Sequence, residues 1–170
     1  MGNTKKSTKK GKINKKAEEN CSDGFLKFMD ALKGHSKDVS IILRCHLLAE
    51  YFLDQIIIVS LSRGDLIIND GHLNFPDKLL LVKSLDTIDD DVLTSVKHLN
   101  TVRNHCSHQM DYKISEADID LIGRPFGKEY SKSKQRIKKI DILLEDTLMR
   151  TMACLEANYD AITKFKEKKK

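Results

Sequence analysis

Tryptophan is absent from this chain of 170 residues, and only two prolines occur in it. Turn-forming clusters are also few, so long runs of Leu, Ile, Lys, Asp and Glu continue with little interruption. Most of these residue types support a helix, whereas proline is the residue that breaks one most strongly. Hydrophobic residues make up 40% of the chain and charged residues 32%, which is typical of a folded globular protein. The composition therefore predicts an all-α fold.

The chain also has no apolar run that could cross a bilayer. The longest, residues 56–61, is far shorter than the roughly 20 residues of a transmembrane helix. No apolar segment typical of a secretory signal follows the first residues. No CxxC pair occurs among the cysteines, which predicts free thiols in a reducing compartment for Cys21, Cys45, Cys106 and Cys154. We expect a cytoplasmic protein with no membrane partner.

The net charge of +5 comes from the two ends of the chain. Residues 1–16 hold seven lysines and no acid, and residues 164–170 hold five lysines and one glutamate. Between them, residues 17–163 carry 18 basic and 24 acidic side chains, a net charge of −6. We therefore predict a basic, disordered tail at 1–20, one folded domain at 21–163 and a lysine-rich tail at the end. Any long-range attraction to nucleic acid would come from the tails.

Apolar residues at spacings of three and four predict an up-and-down bundle of about four main helices with short accessory ones. The main helices are expected at 37–62, 74–85, 89–103 and 134–166, the accessory helices at 22–33 and 115–123, and loops at 63–74 and 124–133. The first main helix is so apolar that it must be buried on more than one side, either centrally or at a subunit interface.

Two polar features lie on these helices. Ser115-x-x-Asp118 resembles a capping box and predicts a helix start. Glu50 and Asp54 are four residues apart, so they share one face of the first main helix. Two carboxylates could serve a metal site, but no matching ligand cluster is obvious elsewhere. A solvated or arginine-paired stripe is the preferred interpretation of that face.

Residues 103–108 read Arg-Asn-His-Cys-Ser-His and follow directly on an amphipathic run. Arginine holds phosphate with a permanent charge and a fork of donors, and histidine moves protons near neutral pH. At about 100° per residue, Asn104 and His108 share a helix face, whereas Arg103 and His108 are about 140° apart. Either the helix ends or bends inside the motif, or the Arg103 side chain folds round, or two subunits share the site.

Simpler interpretations exist for each of these residues. Arg103 or His108 could interact with the helix C-terminus, where a cation is favoured, and Asn104 could end the helix. His98, His105, His108 and Cys106 could be metal ligands, although no carboxylate or cysteine pair completes a set. The remaining histidines carry no predicted role: His105 is expected to be exposed, and His35, His46 and His72 to be incidental.

Arg103, Asn104 and His108 match the R-x4-6-H motif, and the segment 39–108 resembles HEPN domains, especially mannitol-repressor-type and toxin-type members. That family has a long amphipathic helix with a glutamate near its middle, as here around Glu50. A later helix ends in Leu-x-x-(Val/Ile)-Arg-Asn-x-x-x-His, as here at 99–108. Many toxin-type members have a tyrosine two residues after the histidine. Because that position is Met110 here, the resemblance implies no inactivation by tyrosine nucleotidylation.

The resemblance implies a metal-independent endoribonuclease that forms 2′,3′-cyclic phosphates in a toxin–antitoxin, stress or phage-defence setting. Two motifs would face each other across a homodimer, with RNA in the cleft and an antitoxin or regulatory protein as a further partner. Arg103 would stabilise the phosphorane, and His108 would act as acid or base. Asn104 would orient the phosphate or His108. No cofactor and no metal would be needed. The alternatives are a catalytically silent HEPN-like module that binds a protein or nucleic acid, and a plain helical scaffold.

Overall fold

A computed structural model describes residues 37–109 and 111–168 of the chain. The predicted helix at 22–33 and the predicted tail at 1–20 lie outside these residues. All regular structure in the described part is helical, which confirms the all-α prediction. The helices are α1 (Lys37–Ser60), α2 (Gly64–Asp70), α3 (Phe75–Ser84), α4 (Asp90–His108), α5 (Glu116–Gly123), α6 (Gly127–Arg136) and α7 (Ile140–Glu167), with a 3-10 turn at Arg124–Phe126.

Helix α1 lies at the centre of the bundle, because it packs against α7, α4, α3 and α2. Its buried face carries Ile42, Ala49, Leu53 and Ile56, which are fully shielded from solvent. A buried polar contact also joins α4 to α7, where the hydroxyl oxygens of Ser95 and Thr151 lie 2.9 Å apart. No helix in the described residues is long and apolar enough to span a membrane.

Two helices, α3 and α5, start with reciprocal side-chain caps. Asn74 and Asp77 form a reciprocal capping box at α3, with Pro76 in the first turn. The Ser115–Asp118 capping box is confirmed: the Asp118 amide donates to Ser115 Oγ at 3.3 Å, and the Ser115 amide donates to Asp118 Oδ2 at 2.8 Å. The apolar residues predicted to face inward on the next main helix, α4, are all buried, namely Val92, Leu93, Val96, Leu99 and Val102.

The loop predicted at 63–74 is wrong over most of its length, because α2 occupies Gly64–Asp70. Gly64 was a loop signal in the sequence, yet it is buried at the first position of the helix. A Cβ atom there would lie 2.3 Å from the Ile57 carbonyl oxygen. The glycine therefore allows α2 to start in contact with the end of α1 rather than marking a flexible turn.

The loop predicted at 124–133 is also wrong, since the 3-10 turn and α6 cover it. Only Tyr130 and Ser133 of α6 are buried, so the segment gives almost no apolar periodicity to detect. The final helix starts at Ile140 instead of 134, because Ile137 is extended (φ −94°, ψ 115°) and separates α6 from α7. Helix α7 then continues to Glu167, into the predicted lysine-rich tail.

Glu50 and Asp54 are paired with a lysine, whereas the sequence predicted a solvated or arginine-paired stripe. The ammonium of Lys78, on α3, donates to Glu50 Oε1 at 2.9 Å and to Asp54 Oδ2 at 3.0 Å. Burial alone would lower the pKa of Lys78, but the hydrogen bonds to Asp54 and Glu50 hold it above its ordinary value. Lys78 therefore stays charged and joins α3 to α1.

We expect Lys78→Met to lower the free energy of unfolding by about 2 kcal/mol, because two partly buried carboxylates lose their cation. Urea denaturation measures this loss. The triple variant Lys78→Met, Glu50→Gln, Asp54→Asn should recover at least half of it. As a control, Lys83→Met breaks the exposed pair with Asp90 and should change stability by no more than about 0.5 kcal/mol. Equal losses in the two single variants would contradict this assignment.

Candidate functional site

The arginine–histidine motif forms the last two turns of α4. The helix runs unbroken from Asp90 through His108, and Gln109 is its C-cap in extended conformation. Arg103 and Asn104 are half-buried, whereas His105 and His108 are exposed. The helix neither ends nor bends inside the motif, so the first of the three geometric options is wrong, and the alternative in which Asn104 ends the helix is excluded.

The Arg103 side chain turns towards its neighbour in sequence. Its Nη1 donates a hydrogen bond to Asn104 Oδ1 at 3.0 Å. Asn104 and His108 lie about 40° apart around α4, so this bond directs the guanidinium towards their face. Among the described residues, no carboxylate pairs with Arg103. A half-buried guanidinium whose nearest polar partner is an amide keeps donors for an anion.

His46, on α1, lies beside this arginine and is only 3% exposed. Its Nε2 donates to Asn100 Oδ1 at 2.9 Å, and its ring stacks on Phe75 with centroids 4.3 Å apart. With Nε2 as the donor, Nδ1 is the acceptor, and this buried atom has no partner among the described residues. The prediction that His46 is incidental is therefore wrong.

The charge of His46 is governed by its surroundings. Burial lowers its pKa, the bond to Asn100 opposes that effect, and the nearby positive charge of Arg103 lowers the pKa further. Glu50, one turn along α1, acts in the opposite direction. The net effect is a pKa below the ordinary value, so His46 is neutral at pH 7 and presents no second cation beside Arg103.

His105 is exposed as predicted, but it is also held in place. The Tyr112 hydroxyl donates to Asp118 Oδ1 at 2.6 Å, and its oxygen lies 3.3 Å from His105 Nδ1. Because that hydroxyl proton goes to Asp118, the ring nitrogen is the donor in the second bond. In the neutral imidazole, Nε2 is then left as an acceptor. This Asp–Tyr–His chain orients a base, which the sequence did not predict.

The cysteine within the motif is chemically quiet. Burial, followed by the negative charge of Asp118, raises the pKa of Cys106 to about 11. The thiol is therefore protonated near neutral pH and serves poorly as a nucleophile or metal ligand. Within the part of the chain that the structure describes, no group of three or more His, Cys, Asp or Glu side chains is placed to hold a metal ion.

His46, Asn100 and Tyr112 are the residues that sequence reasoning missed. His46 is four residues after Ile42 and three before Ala49, so the helical spacing already puts it on the buried face of α1. A polar residue at such a position needs a partner, which is a usable signal. Its partner Asn100 is 54 residues away in sequence, and spacing within one helix cannot identify it.

We expect His46 to make stability depend on pH. The unfolded chain takes up a proton near the ordinary histidine pKa of about 6.5, whereas the folded chain resists it. Stability is therefore complete above that pH and declines as the pH falls through it. His46→Gln should flatten this decline between pH 7.5 and 5.5 in urea denaturation. His72→Asn, at an exposed residue with φ 48°, is the control and should keep the full slope. Equal slopes in both variants would show that His46 does not titrate as described.

The geometry thus brings Arg103 and Asn104 together, keeps His108 on the Asn104 face and adds His46, Asn100 and an oriented His105. Comparison of the chain with protein-family models, with curated proteins and with solved structures finds no match.

Proposed function

We propose that this protein is a metal-independent endoribonuclease of the HEPN type. The observation that carries the proposal is the Arg103 guanidinium, which is half-buried, lacks a carboxylate partner among the described residues and lies within two turns of exposed histidines. The carboxylates of the neighbouring α1 face are occupied by Lys78 instead. Such an arginine suits an anion that carries its own charge into the site, as a phosphodiester does.

RNA supplies the nucleophile for this reaction. A base removes the proton of the ribose 2′-hydroxyl, whose oxygen attacks the adjacent phosphorus. The P–O5′ bond breaks, and an acid protonates the departing 5′-oxygen, so that one product ends in a 2′,3′-cyclic phosphate. The two proton transfers suit histidine, and the charge of the phosphorane suits arginine.

The side chains divide these tasks. Arg103 contacts the phosphorane, and Asn104 holds the guanidinium through the bond to Oδ1. His108, exposed at the end of α4, is one proton carrier. His105 is a second candidate, because it is exposed and the Tyr112 hydroxyl fixes its Nδ1, which leaves Nε2 as the acceptor. An oriented base is the usual requirement for efficient proton transfer.

A homodimer would place two motifs around one RNA strand. Helix α1 carries an exposed apolar stripe, formed by Leu43, Leu47, Leu48 and Tyr51, on the side away from its buried residues. Contiguous exposed apolar side chains of this kind commonly mark an interface. This stripe supports the prediction that the highly apolar first main helix also contributes to a subunit contact.

A catalytically silent HEPN-like module that binds a protein or nucleic acid is the second candidate. The net charge of −6 over residues 17–163 favours it, because nuclease surfaces usually carry positive charge beyond one arginine. In either case a toxin–antitoxin, stress or phage-defence role with an antitoxin or regulatory partner belongs to the proposal. A cytoplasmic location belongs to it as well.

Cleavage of a labelled single-stranded RNA in EDTA tests the activity. We expect Arg103→Ala to slow single-turnover cleavage by about 10²–10³-fold, since it removes the cation that meets the phosphorane. His108→Ala should slow it by about 10²–10⁴-fold, which is typical of a lost acid or base. His72→Asn is the matched histidine control and should cleave at the wild-type rate. The nuclease proposal fails if the wild type produces no cyclic phosphate ends, or if all variants cleave alike.

Light scattering at micromolar protein tests the homodimer. Leu47, which is 65% exposed, lies in the middle of the α1 stripe. We expect Leu47→Glu to weaken dimerisation at least about tenfold, because the interface would bury an unpaired charge. Met149→Glu, at a residue of α7 with 69% exposure, should leave it unchanged. A monomeric wild type would remove the composite site.

A further inference from the structure

The acidic average of residues 17–163 conceals one strongly basic segment. Residues 124–139 carry seven lysines and arginines against a single acid, Glu129, which is a net charge of +6. The rest of 17–163 therefore carries −12. This segment forms the 3-10 turn, α6 and the link to α7. The expectation that any attraction to nucleic acid comes from the tails rested on the average charge of 17–163, which leaves this segment out of account.

Helix α6 turns this charge to solvent. Tyr130 and Ser133 face inward, whereas Lys128, Lys132 and Arg136 follow one another at intervals of four residues on the exposed side. A spacing of four residues keeps side chains on adjacent turns, about 6 Å apart along the helix. The outcome is a row of cations on a rigid element.

Part of this charge is compensated and part is not. The carboxylates that pair with it are Glu116, Asp120, Glu129 and Asp146. Among the described residues, Lys128, Lys138 and Lys139 form no ion pair. The pair of Lys132 with Glu129 is exposed on both sides, so an incoming polyanion can replace it at little cost. More cations than anions therefore remain on this surface.

Beside the row lies an open cleft of ≈ 460 Å³. Its cations are positioned by Asp120, which accepts from Lys134 Nζ at 2.7 Å and from the Tyr130 hydroxyl at 2.6 Å, and lies 3.6 Å from Arg124. The Gln135 amide adds hydrogen-bond donors to the lining, and Lys138 adds a further cation. The cleft combines fixed positive charge with a neutral amide donor, which is a combination that binds phosphate oxygens.

We propose that α6 and this cleft form a docking surface for the phosphodiester backbone of RNA, separate from the Arg103 motif. The surface is defined by Arg124, Lys128, Lys132, Lys134, Arg136, Lys138 and Lys139. The choice of RNA over single-stranded DNA rests on the proposed function, whereas the affinity for a nucleic acid backbone does not. The surface holds the strand, and the end of α4 acts on it.

The chemistry of the outer face distinguishes this partner from two others. Protein interfaces are depleted in lysine and enriched in aromatic residues, and the exposed side of α6 shows the reverse. A helix that lies on a membrane needs an exposed apolar face, whereas the buried side of α6 holds Tyr130, the one apolar residue of the helix. Because Tyr130 is buried and bonded to Asp120, no aromatic ring of α6 is available to stack on bases. Binding should therefore be independent of sequence.

Fluorescence anisotropy with a labelled 2′-O-methyl RNA of 20 nucleotides tests the surface, because this probe binds but lacks the cleavage nucleophile. In 100 mM salt we expect Lys128→Glu/Lys132→Glu to raise Kd at least about tenfold. The slope of log K against log salt should shrink by roughly 1.4, since two phosphate contacts on a single strand are lost. The control Lys83→Glu/Lys97→Glu changes net charge equally at two exposed residues of α3 and α4, outside the tails and outside this surface, and should raise Kd less than twofold. Lys138→Glu/Lys139→Glu is a second test of the same surface.

Equal losses in the α6 variant and in the control variant of α3 and α4 would overturn the proposal, because binding would then follow net charge alone. It would also be overturned if the α6 variants altered binding to phosphatidylserine vesicles or to polyglutamate but not to the RNA probe. A protein that binds the probe through α6 yet cleaves no RNA would keep this inference and refute the proposed activity. Conversely, if the protein cleaves RNA but its α6 variants bind the probe as tightly as the wild type, this inference is refuted and the proposed activity is kept.

Discussion

One polar contact in an apolar seam, between His46 on α1 and Asn100 on α4, sets the geometry of the candidate site. The two side chains meet at 2.9 Å where the surrounding helix faces are apolar. A buried donor or acceptor left without its partner costs roughly 1–3 kcal/mol, so this pair is satisfied in one relative arrangement of the helices and penalises others. Arg103 lies three residues after Asn100, on the next turn of α4, and the same constraint therefore positions its guanidinium.

The electrostatics of the region depend on which groups Lys78 and Arg103 bind. Lys78 binds both Glu50 and Asp54, so neither of these α1 carboxylates needs Arg103 as its cation. His46 stays neutral because burial and the charge of Arg103 both lower its pKa. Lys78 thus has a structural role, and Arg103 remains available for an external anion. The same region thus combines a stabilising ion pair between α1 and α3 with a guanidinium on α4 that keeps donors for an anion.

Sequence reasoning succeeded where the determining interactions are local. Apolar spacing located α1, α4 and most of α7, and the Ser115–Asp118 capping box identified the start of α5. It failed at α2 and α6 for opposite reasons. In α2 a glycine needed for close packing resembled a loop signal, and in α6 too few apolar residues exist to show a period. In both cases tertiary contacts decide the structure.

The candidate site likewise has residues that the sequence identifies and residues that only the folded structure brings together. Arg103, Asn104 and His108 were accessible because they are close in sequence, whereas His46, Asn100 and the Tyr112–Asp118 link depend on contacts between elements. Averaging charge over the whole domain hid the basic face of α6 for a related reason. Salt limits the reach of a surface charge to about 8 Å at physiological ionic strength, so a polyanion responds to the local face and not to the net charge. The rest of residues 17–163 carries a net charge of −12, so the basic face of α6 stands out locally and favours one docking position for a phosphodiester strand.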